Sequence, residues 1–254
     1  MSEIRSAHLD IQTKAGVCDC YVALPATQGP HPVVIVLMDA FGPREHLYAM
    51  TRRLAENGYF TLLPNLFYRK KKAPLTSVAF PLTMQTRAGA WKDIEPLYSS
   101  FKPEEFFEDM SFYLKALGDQ KNVDISRLGL TGYCMGGGLA MLTAARFPQQ
   151  VRAVASFHAG RLVTPEADSP HRALGALKAP IYVAHADQDA SMTSEQIEIF
   201  NAELKKQNVE HKAELYVGAL HGFTMADLPA FNAEAAERHW RELLSFFGRY
   251  LVSA

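Results

Sequence analysis

The chain has 254 residues, of which 48% are hydrophobic, and this length and composition suit one large α/β core. A formal net charge of −1 gives no reason to expect a nucleic-acid or anionic-membrane partner. The first ten residues contain no apolar signal-like stretch, and no apolar run is long enough to span a bilayer. Three cysteines do not make a disulfide framework. The sequence therefore predicts a cytoplasmic protein with reduced thiols.

The chain begins with two predicted strands, residues 4–12 and 17–24, joined by a turn that ends at Gly16. Cys18 and Cys20 are two residues apart in the second strand, so both thiols face one side of it. A Cys-x-Cys pair could hold a metal, but no further Cys/His cluster accompanies it in the sequence. Packing in the core is the preferred interpretation.

A continuous apolar run at 33–38 is typical of a strand buried on both faces, as in a parallel sheet. A helix is predicted from His46 to Asn57, closed by Gly58, and a second buried strand follows at 59–63. Strands that alternate with helices indicate βαβ units and a mostly parallel sheet. With no repeat and no linker in sight, residues 1–254 are predicted to form a single domain.

Residues 69–103 are the least regular part of the sequence, and a predicted helix from Pro103 to Gly118 follows them. Phe80, Met84 and Trp91 make this segment too apolar for a bare loop. Excursions at the carboxyl end of a strand form the walls of substrate pockets in open α/β folds. We expect this segment to line or cover a pocket.

The next stretch predicts strand, sharp turn and helix: a strand at 123–131, Cys134 at the turn, and an apolar helical pattern at 139–147. Gly132 and Gly136 flank Cys134 as Gly-x-Cys-x-Gly, the nucleophile elbow with cysteine in place of serine. Side chains at those two positions would collide with neighbouring backbone. The helix N-terminus favours thiolate over thiol. The alternative is a buried cysteine beside a glycine-rich helix start.

Three more strands are predicted after the elbow helix, at 151–157, 180–184 and 212–217. Helices are predicted from Thr193 to about Gln207 and from about Phe231 to Leu251.

Candidate catalytic groups follow in the order nucleophile, acid, histidine: Cys134, an aspartate at 187 or 189, and His221. Each comes at the carboxyl end of a predicted parallel strand, so all three are expected on one rim of the sheet. Asp189 is preferred as the acid because the apolar Met192 follows it three residues later. A thiol nucleophile needs a base, and the base needs an acid to fix its tautomer.

Other residues at strand ends complete the predicted site. The oxyanion hole is expected to use the backbone N–H groups of Met135, which follows the nucleophile, and of Ala40, which follows the 33–38 strand. Side chains that could line the pocket are Phe41, Trp91, His158, His185, Phe223 and Met225. His185 is expected to form part of the pocket wall and not to be the base.

With these residues in place, the sequence resembles the dienelactone hydrolase family. The resemblance extends over residues 10–250 and is carried by Met38-Asp-Ala-Phe-Gly42, Leu63-Pro-Asn-Leu-Phe-Tyr68, Gly132-Tyr-Cys-Met-Gly-Gly137, the Asp189 turn and His221-Gly-Phe223. It implies an α/β-hydrolase fold, a three-layer αβα sandwich around an eight-stranded sheet. It also implies a Cys-His-Asp triad without metal or organic cofactor, and hydrolysis of a small lactone or ester through a thioester.

The sequence departs from the family's pattern at two positions. The best-known members carry glutamate where this chain has Asp39, and an arginine that binds the substrate carboxylate where it has Met225. Without that arginine, Asp39 is expected to lack a cationic neighbour and to keep Cys134 a thiol in the free protein. The alternative is that Asp39 braces the loop that carries Ala40. Arg87 or Arg161 could still supply a cation.

Three functions stay open at this point. The first is a cysteine hydrolase, monomeric or homodimeric, whose only predicted partner is a small-molecule lactone, ester or thioester. The second is a non-catalytic α/β-hydrolase homologue that binds a small molecule. The third is a thiol redox protein, for which no resolving cysteine lies near Cys134 in sequence.

Overall fold

A computed structural model describes residues 3–252 of the chain. It contains an eight-stranded, mostly parallel sheet with helices, which confirms the predicted α/β class. The strands are Ile4–Thr13 (β1), Gly16–Pro25 (β2), His31–Leu37 (β3), Phe60–Pro64 (β4), Val123–Tyr133 (β5), Val151–Phe157 (β6), Ile181–Gln188 (β7) and His211–Leu220 (β8). The helices are Glu45–Glu56 (α1), Met84–Ser100 (α2), Pro103–Gly118 (α3), Met135–Arg146 (α4), Ser194–Lys206 (α5) and Ala233–Phe247 (α6).

The chain divides into two compact units, one ending at Leu128 and the other beginning at Gly129. The predicted single domain stays a prediction. In the described residues no helix is both long and apolar enough to cross a membrane.

The first unit contains the strand order β1-β2-β4-β3. β1 and β2 form an antiparallel hairpin, β2 is antiparallel to β4, and β3 runs parallel to β4. All seven residues of β3 are buried, as its continuous apolar run predicts. Cys18 and Cys20 are 0% and 2% exposed, so the core-packing interpretation of this pair is confirmed.

The second unit contains the end of β5 and then β6, β7 and β8 in that order. β6, β7 and β8 are parallel, and the β7–β8 register shifts between Ala186 and Gln188. Parallel strands bring their carboxyl ends to the same edge, where Cys134, His158, Asp189 and His221 follow β5, β6, β7 and β8.

Half of the segment predicted to be irregular is the helix α2, residues Met84–Ser100. Thr83 caps its N-terminus in a reciprocal capping box with Thr86. The sequence pattern gave no sign of this helix because only Ala90 and Ile94 are buried along it and Pro96 lies inside it. The helix is therefore not marked by an apolar stripe.

Candidate active site

Cys134 lies between the end of β5 and the start of α4, at the turn that the Gly-x-Cys-x-Gly pattern predicts. Its backbone angles are φ 55° and ψ −120°, a conformation that side chains rarely adopt. Gly132 is required because a Cβ there would come within 2.0 Å of the Gly136 carbonyl oxygen. The Cys134 N–H donates to the Phe157 carbonyl at 3.1 Å, which ties the elbow to β6.

His221 lies between Cys134 and Asp189, in the turn after β8. Its Nε2 is 3.1 Å from Cys134 Sγ, and its Nδ1 is 2.6 Å from Asp189 Oδ2. The His221 side chain is 29% exposed and that of Asp189 is 2% exposed. The structure thus brings the three sequence-predicted groups into one hydrogen-bonded chain. Its sulfur is partly exposed to solvent, and its carboxylate is buried.

The two candidate aspartates have different partners. Asp187 is exposed, and its Oδ2 accepts a hydrogen bond from the Gly218 N–H at 2.9 Å. Asp189 is buried and holds His221 on Oδ2 while Oδ1 accepts from the Ser191 N–H at 2.8 Å and the Ser191 hydroxyl at 2.6 Å. The geometry favours Asp189, and it adds Ser191, which sequence reasoning missed. The Asp-x-Ser spacing of a local turn was the available signal.

Asp189 and His221 shift each other's pKa values. Burial raises the pKa of Asp189, but hydrogen bonds from His221 and Ser191 and the His221 charge outweigh it and lower that pKa below its usual value. Burial lowers the pKa of His221, yet the Cys134 sulfur and Asp189 more than compensate and raise it to about 10. At neutral pH His221 is therefore held as an imidazolium beside the Asp189 carboxylate.

A close approach behind His221 depends on Gly160. A Cβ on this glycine would come within 2.2 Å of the Ser191 hydroxyl and 3.6 Å of His221 Cε1. The next residue, Arg161, is exposed and donates its N–H to the Ser191 carbonyl at 2.7 Å. The loop after β6 thus fixes the residue that in turn holds the buried aspartate.

Asp39 has a cationic neighbour, contrary to the expectation from the sequence. Arg44 donates Nη1 and Nη2 to the two carboxylate oxygens of Asp39 at 2.7 and 2.8 Å, and both side chains are buried. The Phe41 N–H adds a third bond to Asp39 at 3.0 Å, across the turn that contains Ala40. The expectation that Asp39 lacks a cationic neighbour is therefore wrong. No pattern in the sequence indicates that Asp39 and Arg44 pair. The contacts favour the bracing alternative, and the resting thiol stays a prediction.

The two predicted oxyanion donors belong to different units. Met135 is the first residue of α4, directly after Cys134, so its N–H lies at the helix N-terminus. Ala40 is 4% exposed and lies in a turn closed by a hydrogen bond from the Gly42 N–H to the Asp39 carbonyl at 3.1 Å. Their joint role stays a prediction.

Two of the predicted pocket residues pack together in the first unit. Phe41 lies edge-on to Trp91 at 6.1 Å and to Phe80 at 6.3 Å between ring centroids. Met84, by contrast, is 74% exposed, and its contribution to a pocket wall stays a prediction. Whether residues 69–103 cover the site stays a prediction.

The four other pocket candidates are buried in the second unit. Phe223 and Met225 are both 0% exposed, so they are core residues and not part of an open pocket wall. His185 packs edge-on against Phe200 at 5.7 Å, and burial lowers its pKa to about 4. His158 is 1% exposed and its ring lies 5.5 Å from that of His221. All four side chains are therefore buried beside or beneath the surface residues of the candidate site, and none is exposed to solvent.

No group of three or more His, Cys, Asp or Glu side chains between residues 3 and 252 is arranged to hold a metal ion. The nearby sulfur and nitrogen atoms of Cys134 and His221 contact one another. The chemistry that this arrangement can perform is nucleophilic attack by sulfur with proton transfer through an imidazole.

Comparison with known proteins gives the family. The sequence profile of the dienelactone hydrolase family matches residues 18–251. The chain belongs to this family. A Yersinia pestis protein named "Putative carboxymethylenebutenolidase" is 29% identical over 256 residues, covering 99% of this chain and 91% of that protein. A protein of the same name from Synechocystis sp. is 30% identical over 239 residues, covering 89% of each.

Solved structures agree on the fold of this dienelactone hydrolase family member. A crystal structure named "Putative Dienelactone Hydrolase" from Klebsiella pneumoniae has a TM-score of 0.85 at 25% identity, covering 98% of this chain and 100% of that one. An acylaminoacyl peptidase from Pyrococcus horikoshii shares the fold at 16% identity and a TM-score of 0.71, covering 100% of this chain and 43% of that one. The fold is that of the α/β-hydrolases, and the chain is a hydrolase acting on ester bonds.

Proposed function

We propose that this protein hydrolyses a small lactone or ester by nucleophilic catalysis, with Cys134 as nucleophile, His221 as acid and base, and Asp189 as the orienting acid. The observation that carries the proposal is the continuous chain of contacts from sulfur through imidazole to carboxylate, 3.1 and 2.6 Å long. The strained backbone at Cys134 supports it, because such conformations persist at sites where they serve chemistry.

In the first half-reaction the Cys134 thiolate attacks the carbonyl carbon and the carbonyl electron pair moves onto oxygen. The Met135 N–H, with Ala40 as the predicted second donor, stabilises that oxyanion. As the oxyanion collapses, the bond to the leaving oxygen breaks and the His221 imidazolium gives that oxygen its proton. The products are a thioester on Cys134 and a neutral His221.

In the second half-reaction His221 removes a proton from water as the water oxygen attacks the thioester carbonyl. The second oxyanion collapses with release of the sulfur, which leaves a carboxylic acid and regenerates thiolate and imidazolium. Asp189 keeps Nδ1 protonated throughout, so that Nε2 is the nitrogen that exchanges the proton. With a lactone, the product is a single hydroxy acid because the leaving oxygen stays attached.

The test is a hydrolysis screen of lactones, activated oxygen esters and thioesters with wild type, Cys134→Ser and, as a matched control, Cys18→Ser. Rapid quenching and mass spectrometry should detect the substrate's acyl group on Cys134. Turnover by wild type and Cys18→Ser, but not by Cys134→Ser, is the expected result. Binding without turnover by wild type would instead support a non-catalytic small-molecule binder, and turnover confined to thioesters would mark a thioesterase.

A further inference from the structure

The residue that follows β6, His158, has an unusual environment for a polar side chain. It is 1% exposed, and its Nδ1 has no hydrogen-bond partner among the described residues. Its backbone is left-handed, with φ 39°, although the residue is not glycine. Both features cost stability, because a buried polar atom prefers a partner and a side chain disfavours this conformation. A phenylalanine there would leave no unpaired ring nitrogen.

The contacts of His158 converge on the turn that carries His221. Its Nε2 lies 2.7 Å from the Thr224 hydroxyl, and Thr224 is 2% exposed. Its ring meets the His221 ring at 5.5 Å and 66°, and the Phe223 ring at 5.1 Å and 77°. One side chain thus contacts three of the four residues from 221 to 224.

The turn itself is neither helix nor strand. Backbone bonds close it from the Phe223 N–H to the Leu220 carbonyl and from the Met225 N–H to the Gly222 carbonyl, and the Asn232 N–H before α6 donates to the Phe223 carbonyl at 3.1 Å. His158, in contrast, is anchored on the sheet, because its N–H donates to the Ala184 carbonyl of β7 at 2.8 Å. The contact from His158 therefore holds the turn in a fixed position relative to the sheet. Cys134 and Asp189 follow strands of the same sheet.

The charge of His158 is compatible with this place. Burial, together with the charges of His221 and His239, holds the pKa of His158 well below its usual value. The other titratable side chain within ring contact is Tyr133, at 6.0 Å. His158 is therefore neutral at physiological pH and does not repel the His221 imidazolium.

We propose that His158 is a positioning residue: its hydrogen bond to Thr224 and the edge of its ring fix His221 between Cys134 and Asp189. The inference rests on the proposed function of that triad. His158 does not touch substrate in this role, because its side chain is buried.

The experiment removes the bond from each end and from both. His158→Phe keeps a ring and loses the bond, Thr224→Val loses the hydroxyl, and Thr224→Ser restores it. Thr143→Val is the matched control for loss of a buried threonine hydroxyl, since among the described residues that hydroxyl bonds to the Leu139 carbonyl of its own helix. The readouts are kcat and KM on the best substrate of the screen, and the pKa of His221 by NMR of histidine-labelled protein.

We expect kcat to fall about 100-fold in His158→Phe and in Thr224→Val with little change in KM, because a misplacement of about 1 Å costs that much. The double variant should be no worse than the worse single variant, since both remove one interaction. The His221 pKa should fall from about 10, as its contacts to Cys134 and Asp189 loosen. Thr224→Ser should recover most of kcat, and Thr143→Val should retain it.

Wild-type kcat and an unchanged His221 pKa in His158→Phe would overturn the inference, and so would losses that simply add in the double variant. If His158→Phe does not fold, Thr224→Val decides alone, because it breaks the same bond. The NMR readout separates this inference from the proposed function. A fall in the His221 pKa with no hydrolysis by wild type would support the positioning role and refute the reaction.

Discussion

Two buried aspartates at strand ends, Asp189 after β7 and Asp39 after β3, show how the same group can serve different ends. One carboxylate oxygen of Asp189 accepts a hydrogen bond from Ser191, and the other contacts His221 Nδ1. The second ring nitrogen of His221, Nε2, contacts the partly exposed sulfur of Cys134. Both carboxylate oxygens of Asp39 accept hydrogen bonds from Arg44, and both side chains are buried. An arginine cannot release its proton at physiological pH, whereas an imidazole can. The first arrangement can move a proton, and the second favours the interpretation that Asp39 braces its loop.

The largest expected effect is on turnover when the proposed nucleophile, Cys134, is replaced. Cys134→Ser should lower turnover at least about 1,000-fold, since loss of a triad member removes nearly all of the nucleophilic pathway. An alkylating reagent should modify Cys134 before Cys18 or Cys20, because only Cys134 is partly exposed. Peptide mapping after partial alkylation, alongside the residual rate, measures both. Full activity with Cys134 completely modified would contradict the proposed mechanism.

The second test separates the two aspartates of the β7 turn. Asp189→Asn should cost about 10⁴-fold in kcat, because an amide stabilises the wrong tautomer of His221. It should also lower the His221 pKa, since the Asp189 carboxylate, one of the groups that raise that pKa to about 10, is lost.

The matched variant is Asp187→Asn, which keeps an oxygen for the Gly218 N–H and should stay near wild-type activity. Steady-state rates and NMR titration of the three proteins decide between them. A damaging Asp187→Asn beside a mild Asp189→Asn would mean that Asp187 is the acid.

A smaller effect is expected at Ser191, which holds the acid and touches no reacting atom. Ser191→Ala should lower kcat several-fold and raise the pKa of Asp189, because the serine hydrogen bonds favour the carboxylate. The acid limb of the kcat profile should then move to higher pH. A pH–rate profile with an unmoved acid limb would show that the hydroxyl does not support the carboxylate.

The smallest effect on Cys134 reactivity is expected from Asp39→Asn. Breaking the buried pair with Arg44 should cost about 3–5 kcal/mol of stability, because a charge is left unpaired. The pH dependence of Cys134 alkylation should be the same as in wild type if Asp39 only braces its loop. Denaturant unfolding and alkylation rates measure the two effects. A profile shifted to lower pH in the variant would support the resting thiol and bring Asp39 into the chemistry.

The sequence could predict those features that depend on local pattern and chain order. Alternating elements predicted the sheet. Gly132-x-Cys134 with the order of Asp189 and His221 predicted which residues form the candidate catalytic group, because strand-end residues of a parallel sheet share an edge. The pair of Asp39 with Arg44 was not predictable, since it depends on the path of an irregular turn. The helix at Met84–Ser100 was missed because its apolar residues form no stripe.

Support for the site was harder to predict than the site itself. His158 could be recognised as a strand-end residue, but its bond to Thr224 joins residues 66 positions apart. Phe223 and Met225 were expected to line a pocket, Phe223 as part of the His221-Gly-Phe223 motif and Met225 at the position of the family's substrate-binding arginine. The turn instead directs them into the core, a direction that sequence spacing does not encode in an irregular segment.

The backbone of Cys134 has a consequence for thermal stability. At φ 55° and ψ −120° a side chain costs about 1–3 kcal/mol, while glycine's extra freedom in the unfolded chain costs about 0.5–1 kcal/mol. In Cys134→Gly the relief of this strain offsets the lost contact between Cys134 Sγ and His221, so the variant should melt near the wild-type temperature although it can no longer form the proposed thioester. Under the proposed mechanism this strained position is retained because Cys134 is needed for turnover.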